Sequence, residues 1–304
     1  MNVVSPEAPA LPLAAALAAA PKLLAGLIGA GIQRSLTPAM HEEEARQLGL
    51  RLHYQLIDLD LAQVGPAALP MLIEAARIMG FAGLNITYPC KQAVIALLDE
   101  LSDEARAMGA VNTVVIRNGR LIGHNTDGSG WRWGFERSLP GADLSRVVLL
   151  GAGGAGSAIA HAVLGMGAGQ LLLVDAEPAR AQALAAELST RHPGRVSAAP
   201  QVAEALRGAS GLIHATPTGM DKLPGLPLAE TLLHPGLWVA EIVYFPLDTA
   251  LLRAAHARGC KVVDGGTMAV GQALGAFELI TGRPADAARV RQHFLRMVAG
   301  PAPH

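Results

Sequence analysis

Short apolar runs dominate this chain, and they change period in a regular way. Lys22–Gly29 is almost continuously apolar and predicts a buried strand; Leu52–Leu59 alternates and predicts a second. Between and after them, Ala39–Leu48 and Ala67–Met79 carry apolar residues at helical spacing. Ala82–Asn85 predicts a short buried strand and Lys91–Leu98 a further helix. Val114–Arg117 and Leu121–His124 flank Asn118-Gly119, a strong hairpin signal. This half therefore repeats strand and helix and is expected to end in a hairpin.

Gly128–Arg137 predicts a helix leading out of that unit. From Val147 the alternation resumes, with strands at 147–150, 171–174, 195–198, 212–214, 237–241 and 261–263. Helices at 155–166, 178–190, 201–207 and 248–258 separate them. The expectation is a mostly parallel sheet, complete by residue 263. Two last helices, near 268–280 and 285–298, are then left to pack back on the first unit.

The strand at 147–150 runs into Gly151-Ala152-Gly153-Gly154-Ala155-Gly156, which opens an Ala-rich helix. A second strand follows and ends at Asp175. This is G-x-G-x-x-G between a strand and a helix, with an acidic residue about 20 positions on. That context predicts a dinucleotide, and specifically NAD. About 145 residues precede it, enough for a domain that holds a substrate against the nicotinamide.

Composition narrows the class. The 304 residues are 51% hydrophobic and only 16% charged, with 34 Gly and 20 Pro, which suits two compact α/β domains and argues against disorder. A net charge of −1 gives no basic field for nucleic acid or an acidic membrane. The two cysteines, Cys90 and Cys260, are far apart and lack metal-ligand spacing, so reduced thiols in a cytoplasmic protein are expected, with no metal. Residues 1–21 lack a basic signal-peptide start, and Pro6, Pro9 and Pro12 interrupt their apolar run. Leu13–Ala20 reads either as a short helix or as part of a frayed tail.

Four polar clusters stand out. Ser35 and Thr37 precede a helix; they either cap it or bind a carboxylate at its N-terminus. Asn85-Ile-Thr87-Tyr-Pro89-Cys-Lys91 follows the short buried strand, at the edge where open α/β sheets bind ligands. Pro89 suits the first turn of the helix to come. Its apolar setting argues for a functional Lys91 over a surface one. Ala110-Val-Asn112-Thr113 and Gly123-His124-Asn125-Thr126-Asp127-Gly128 bracket the hairpin. Asp127 reads either as a turn or N-cap residue or as a carboxylate facing the cleft. Across a cleft, such an Asp holds and orients a lysine ammonium, whose nitrogen exchanges a proton with an alcohol as hydride leaves.

Taken in order, these clusters resemble the shikimate/quinate dehydrogenase family over about residues 22–298. The likeness continues through Ala215-Thr216-Pro217-Thr-Gly219-Met220, Val243-Tyr244-Phe-Pro246, Gly265-Gly-Thr-Met268 and Gln272-Ala273. It implies a substrate domain at 22–127 completed by helices within 266–304, and a Rossmann NAD-binding domain at 128–265. Carried over by position, Lys91 and Asp127 are the catalytic pair. Ser35 and Thr37 hold the substrate carboxylate; Thr87, Asn112, Asp127 and Gln272 hold ring hydroxyls; Tyr244 lies against the substrate. Gly151–Gly156 wrap the pyrophosphate, and Ala215, Thr216, Pro217, Ile242 and Gly265 line the cofactor. His41, Trp131, Trp133 and Met268 read as packing.

Two departures from the commonest family pattern carry information. NADP-using members usually show Asn-Arg-Thr after the second nucleotide strand, and here it is Asp175-Ala176-Glu177. A carboxylate accepts from ribose hydroxyls and repels a 2′-phosphate, so NAD is expected over NADP. Arg180, one helical turn on, is the residue left to meet a phosphate. The common Ser-x-Ser is Ser35-Leu-Thr37, which with the NAD-type Asp resembles the catabolic quinate/shikimate enzymes. The reaction implied is oxidation of the C3 hydroxyl of quinate or shikimate. The rival readings are an NADP-dependent biosynthetic shikimate dehydrogenase, an aminoshikimate-type paralogue and a non-catalytic NAD-binding sensor.

Overall fold

The computed structural model describes residues 21–299, so the reading of residues 1–20 lies outside the described residues. Six strands form a first sheet: β1 (Lys22–Gly29), β2 (Arg51–Asp58), β3 (Gly83–Ile86), β4 (Glu100–Leu101), β5 (Thr113–Arg117) and β6 (Arg120–His124). Their order is β2-β1-β3-β5-β6-β4. β1 pairs in parallel with β2 and β3, the arrangement that crossovers through helices α1 (Thr37–Gln47) and α2 (Leu69–Ile78) impose. β5 returns antiparallel to β3, and β6 antiparallel to β5. Asn118 and Gly119 turn that hairpin with φ of 53° and 76°, as the Asn-Gly pair predicts.

Two expectations fail in this half. Lys91–Leu98 is not one helix: turns occupy its start and only Ala93–Leu97 forms a 3-10 helix. The Cys90 N–H donates to the Thr87 carbonyl at 2.8 Å, closing a tight turn that contains Pro89 and delays the helix. The hairpin is also not the whole edge, because β4 pairs with β6 and is followed by α3 (Asp103–Met108). A two-residue strand and a six-residue helix are too short to show a period, although Ser102 as N-cap and left-handed Gly109 as C-cap bound α3.

The second sheet contains β7 (Arg146–Leu150), β8 (Gln170–Val174), β9 (Val196–Ala198), β10 (Gly211–His214), β11 (Trp238–Glu241) and β12 (Lys261–Val263). The order is β12-β11-β10-β7-β8-β9 and every pairing is parallel. Counted from β7 this is the 3-2-1-4-5-6 order of a Rossmann sheet, with its switch point between β7 and β10. Val147 and Leu149 bury into one core with Ile159, Val163 and Leu188; Val148 and Leu150 bury into another with Leu206, Leu212 and Leu251. Burial on both faces is why these strands read as continuous apolar runs.

Helices α4 (Asp127–Ser138), α5 (Gly154–Gly165), α6 (Pro178–Ser189), α7 (Val202–Ala205), α8 (Ala250–Ala257), α9 (Gly265–Thr281) and α10 (Ala287–Val298) complete the described residues, with two 3-10 turns at 66–68 and 230–232. The last two helices return to the first sheet. Ile280 of α9 packs so closely on Gly83 that a Cβ there would lie 2.7 Å from its Cγ1. Arg289 of α10 grips the buried Glu44 carboxylate of α1 with two hydrogen bonds of 2.6 and 2.7 Å. Cys90 and Cys260 are buried and unpaired. Among the described residues no helix is long and apolar enough to cross a membrane.

Candidate active site

The C-terminal ends of β1 and β3 deliver the first polar groups. Gly29 ends β1 where a Cβ would stand 2.2 Å from the Thr87 methyl, so its missing side chain lets Thr87 seat beside the strand end. The loop after β1 is held by Asp58 at the end of β2. Its carboxylate accepts from the backbone N–H groups of Gly31 and Ile32 and from Gln33 Nε2, all at 3.0 Å. Chiefly the Gln33 bond, helped by those N–H groups, holds the Asp58 carboxyl below the usual range. The loop leads to Ser35 and Thr37. Ser35 Oγ donates to Thr37 Oγ1 at 3.1 Å and accepts the Thr37 N–H at 3.3 Å. Thr37 is the first helical residue rather than its cap, and Leu36 stands at the N-cap with no side-chain bond.

Asp127 is the centre of the site. It opens α4 and is only 3% exposed. Lys91 Nζ donates to its Oδ2 at 2.6 Å. Asn112 Nδ2 and Gln272 Nε2 donate to its Oδ1 at 2.8 and 2.6 Å, and its own N–H donates to Asn125 Oδ1 at 2.9 Å. Four groups from four segments thus hold one residue. Asn112 is itself oriented, since its Oδ1 accepts from the Thr126 N–H at 2.8 Å and from Thr113 Oγ1 at 3.0 Å. Asn85 bonds Thr113 and accepts from the buried Tyr54 hydroxyl at 2.6 Å. Burial pushes the Tyr54 hydroxyl well above its ordinary pKa, keeping it a donor.

Gln272 reaches Asp127 because α4 and α9 cross with almost no side chain between them. A Cβ on Gly130 would lie 2.5 Å from the Gln272 nitrogen, and one on Gly271 2.2 Å from the Gly130 carbonyl oxygen. Gly130 and Gly134 were not singled out from the sequence. Their spacing, one helical turn apart, is the signal that a second backbone passes close by.

All eight residues read as catalytic or substrate-binding line one cavity of about 400 Å³: Ser35, Thr37, Thr87, Lys91, Asn112, Asp127, Tyr244 and Gln272. Tyr244 comes from the loop after β11, against Phe245 and Phe294, so the cavity lies between the two sheets. His41, read as packing, is buried between Tyr54 and Phe277 but also lines this cavity. Burial drives its pKa down to about 4, against a smaller opposing effect of its bond to the Thr37 carbonyl, so the ring is neutral. Asp58, Tyr54 and Asn125 support the site without having been singled out for a role.

The residues read as cofactor-binding gather on the matching edge of the second sheet. Gly151 has φ of 99° and leaves β7 against Ala215. A Cβ on Gly156 would fall 1.9 Å from the Gly151 carbonyl oxygen, so this glycine sets the distance between helix and turn. Cβ atoms on Gly153 and Gly154 would meet nothing within 4 Å, leaving an open cradle at the N-terminus of α5. Four glycines with these three different surroundings suit a pyrophosphate. Asp175 follows β8, and its carboxylate accepts from the Ala152 N–H at 2.7 Å and the Glu177 N–H at 2.8 Å. Each oxygen keeps a lone pair for a ribose hydroxyl. Arg180 is exposed and pairs with Glu177 at 2.9 Å. Ala215, Thr216 and Pro217 follow β10, and Ile242 follows β11. Gly265 opens α9 with no room for a Cβ beneath the Ile242 and Val243 carbonyls.

Comparison with known proteins identifies the family and the fold. Residues 27–114 match the family described as shikimate dehydrogenase substrate binding domain. A shikimate dehydrogenase (NADP(+)) of Streptomyces avermitilis is 58% identical over 271 residues, 88% of this chain and 93% of that protein. A quinate/shikimate dehydrogenase (NAD(+)) of Corynebacterium efficiens is 46% identical over 279 residues, 90% of this chain and 98% of that one. Among solved structures, quinate dehydrogenase from Corynebacterium glutamicum in complex with NAD superposes with a TM-score of 0.86 at 43% identity, covering 90% of this chain and 99% of that one. With its Rossmann sheet, its glycine turn and its polar cavity, this chain belongs to the shikimate/quinate dehydrogenase family of NAD(P)-dependent oxidoreductases.

Proposed function

We propose that this protein oxidises the C3 hydroxyl of quinate and shikimate with NAD, giving 3-dehydroquinate and 3-dehydroshikimate. Residues 22–127, completed by the helices within 266–304, act as the substrate domain, and 128–265 as the NAD-binding domain. Lys91 takes the proton of the C3 hydroxyl while Asp127 holds the lysine nitrogen toward it. The Gly151–Gly156 turn and Asp175 would hold the dinucleotide, which when bound would supply the hydride acceptor. Asn112 and Gln272 keep Asp127 facing Lys91 and, with Thr87, bind neighbouring ring hydroxyls. Ser35 and Thr37 receive the carboxylate, and Tyr244 closes against the ring.

The observation that carries the choice of NAD is Asp175. Its carboxylate lies at the end of β8, beside the glycine turn, where a 2′-phosphate would meet like charge. Ala176 supplies no cation, and Arg180 is engaged by Glu177. A second reading, NADP-dependent shikimate dehydrogenase, is favoured by the 58% identity to the Streptomyces avermitilis protein. A two-by-two assay, quinate and shikimate against NAD and NADP, separates them. The expected result is a higher kcat/KM with NAD for both acids. A higher kcat/KM with NADP overturns the proposal in favour of the second reading.

A further inference from the structure

Beneath the dinucleotide edge lies a buried ionisable pair that the mechanism above does not use. His214 ends β10 and Glu241 ends β11, directly opposite each other in the parallel register. Both side chains are 0% exposed. His214 Nδ1 donates to the Glu241 carboxylate at 2.9 and 3.0 Å. The same carboxylate accepts from Thr249 Oγ1 at 3.1 Å and from the backbone N–H groups of Ile242 and Val243 at 2.9 and 3.0 Å. The other ring nitrogen, Nε2, is hydrogen-bonded to the Thr216 hydroxyl. Thr216 Oγ1 in turn accepts the Thr218 N–H at 3.4 Å. The chain of bonds therefore runs unbroken from the loop at 215–218 through His214 to Glu241, and Glu241 also pins the turn at 242–243.

Those two segments have a defined place relative to a dinucleotide. The pyrophosphate cradle follows β7, and Asp175, which marks the adenosine half, follows β8 on one side of it. The other half must then run over β10 and β11, on the far side of the switch point. That is also the side on which Met220, Asp221, Tyr244 and Phe245, just beyond the two segments, line the cavity of Lys91 and Asp127. A satisfied network in a dry interior holds one arrangement strongly, because each alternative leaves a buried polar group unpaired.

We infer that His214 and Glu241 are positioning residues for the nicotinamide half of the cofactor, acting through Thr216 and through the Ile242–Val243 turn. The inference rests on the dinucleotide reading of this edge. It predicts a defect confined to one half of the ligand, which a general loss of stability would not produce.

The test compares NADH with ADP-ribose, which lacks the nicotinamide, by equilibrium binding to the full chain. Thr216→Val removes the hydroxyl and keeps the side-chain shape, Thr216→Ser keeps the hydroxyl, and His214→Asn removes the reach to Thr216; His214→Gln replaces it if the Asn variant does not fold. Thr216→Val and His214→Asn should each weaken NADH about tenfold while changing ADP-ribose by less than about twofold. Thr216→Ser should bind as the wild type does. The double variant should be no weaker for NADH than the weaker single variant, because both changes cut the same link. Equal losses for NADH and ADP-ribose, or additive losses in the double variant, overturn the inference alone. A wild-type protein that binds neither ligand overturns the dinucleotide reading and this inference with it.

Discussion

The two sheet edges that face each other are built by opposite means. At the first, side chains do the work: Lys91, Asn112 and Gln272 converge on Asp127 from 36, 15 and 145 residues away. At the second, backbone dominates: one six-residue turn makes the cradle, and what matters there is where a Cβ is absent. An anionic pyrophosphate is the same in every dinucleotide and is well served by N–H groups and a helix terminus. A ring bearing several hydroxyls at fixed angles needs donors and acceptors placed one by one, and these come from many elements. Substitutions should therefore fail differently at the two edges, abruptly in rate at the first and sterically at the second.

The largest effect is expected at Lys91. Replacing it with Ala should lower kcat by about a thousandfold while substrate KM changes little, measured by steady-state kinetics with a saturating cofactor. The fold should survive, because Asp127 keeps the Asn112 and Gln272 bonds. A kcat that stays within a few-fold of wild type would remove Lys91 from the proton transfer and break the contrast.

The next effect concerns His41, which bonds the Thr37 carbonyl. Its folded pKa of about 4 lies below the ordinary 6.5, so the unfolded chain binds this proton first as pH falls. Stability is then full above pH 6.5, declines as pH drops through that value, and levels off near 4. The loss due to this ring is about 3 kcal/mol. Urea midpoints of wild type and His41→Phe, taken from neutral pH down to about pH 4.5, should converge as the wild type loses this contribution. A constant gap between the two would place the histidine in a wetter setting than its burial implies.

The smallest effect sharpens the second edge. Gly156→Ala should destabilise the fold by about 1–3 kcal/mol, since its Cβ cannot be accommodated against the Gly151 carbonyl. Gly153→Ala should leave the melting temperature nearly unchanged and weaken NADH, since its Cβ enters the open cradle instead. If both variants lost stability equally, the second glycine would be structural and the cradle reading wrong.

The same contrast explains how much was legible in advance. Lys22–Gly29 and Lys261–Val263 were read from their apolar runs with the bounds the structure has, and the hairpin from Asn118-Gly119. Each of the two reads as a strand because the residues after its opening lysine are apolar or glycine. β4 and α3 went unread because each is shorter than two periods of its own pattern, too short for a repeat to show. The helix expected from Lys91 fails because hydrogen bonding around Thr87 and Cys90 turns the chain first. Among the residues that line or support the cavity, those inside contiguous motifs were legible, and the supports of those motifs were not. Asp58 and Tyr54 sit on β2 with no local neighbour to betray a role, and His214 and Glu241 look like isolated polar residues at strand ends.

What this sequence determined by itself is everything that depends on neighbours along the chain: the alternation of strand and helix, the glycine turn, and the residue types available for chemistry. Backbone sterics and side-chain period act within a few residues, so they are written locally. Only the tertiary structure decided that Asp127 has four partners, that Gly130 and Gly271 let two helices meet so that Gln272 reaches it, and that His214 and Glu241 join beneath the cofactor edge. Those facts depend on which strands lie side by side and how closely helices cross. Such packing is set by the whole core at once, and no local stretch of sequence encodes it.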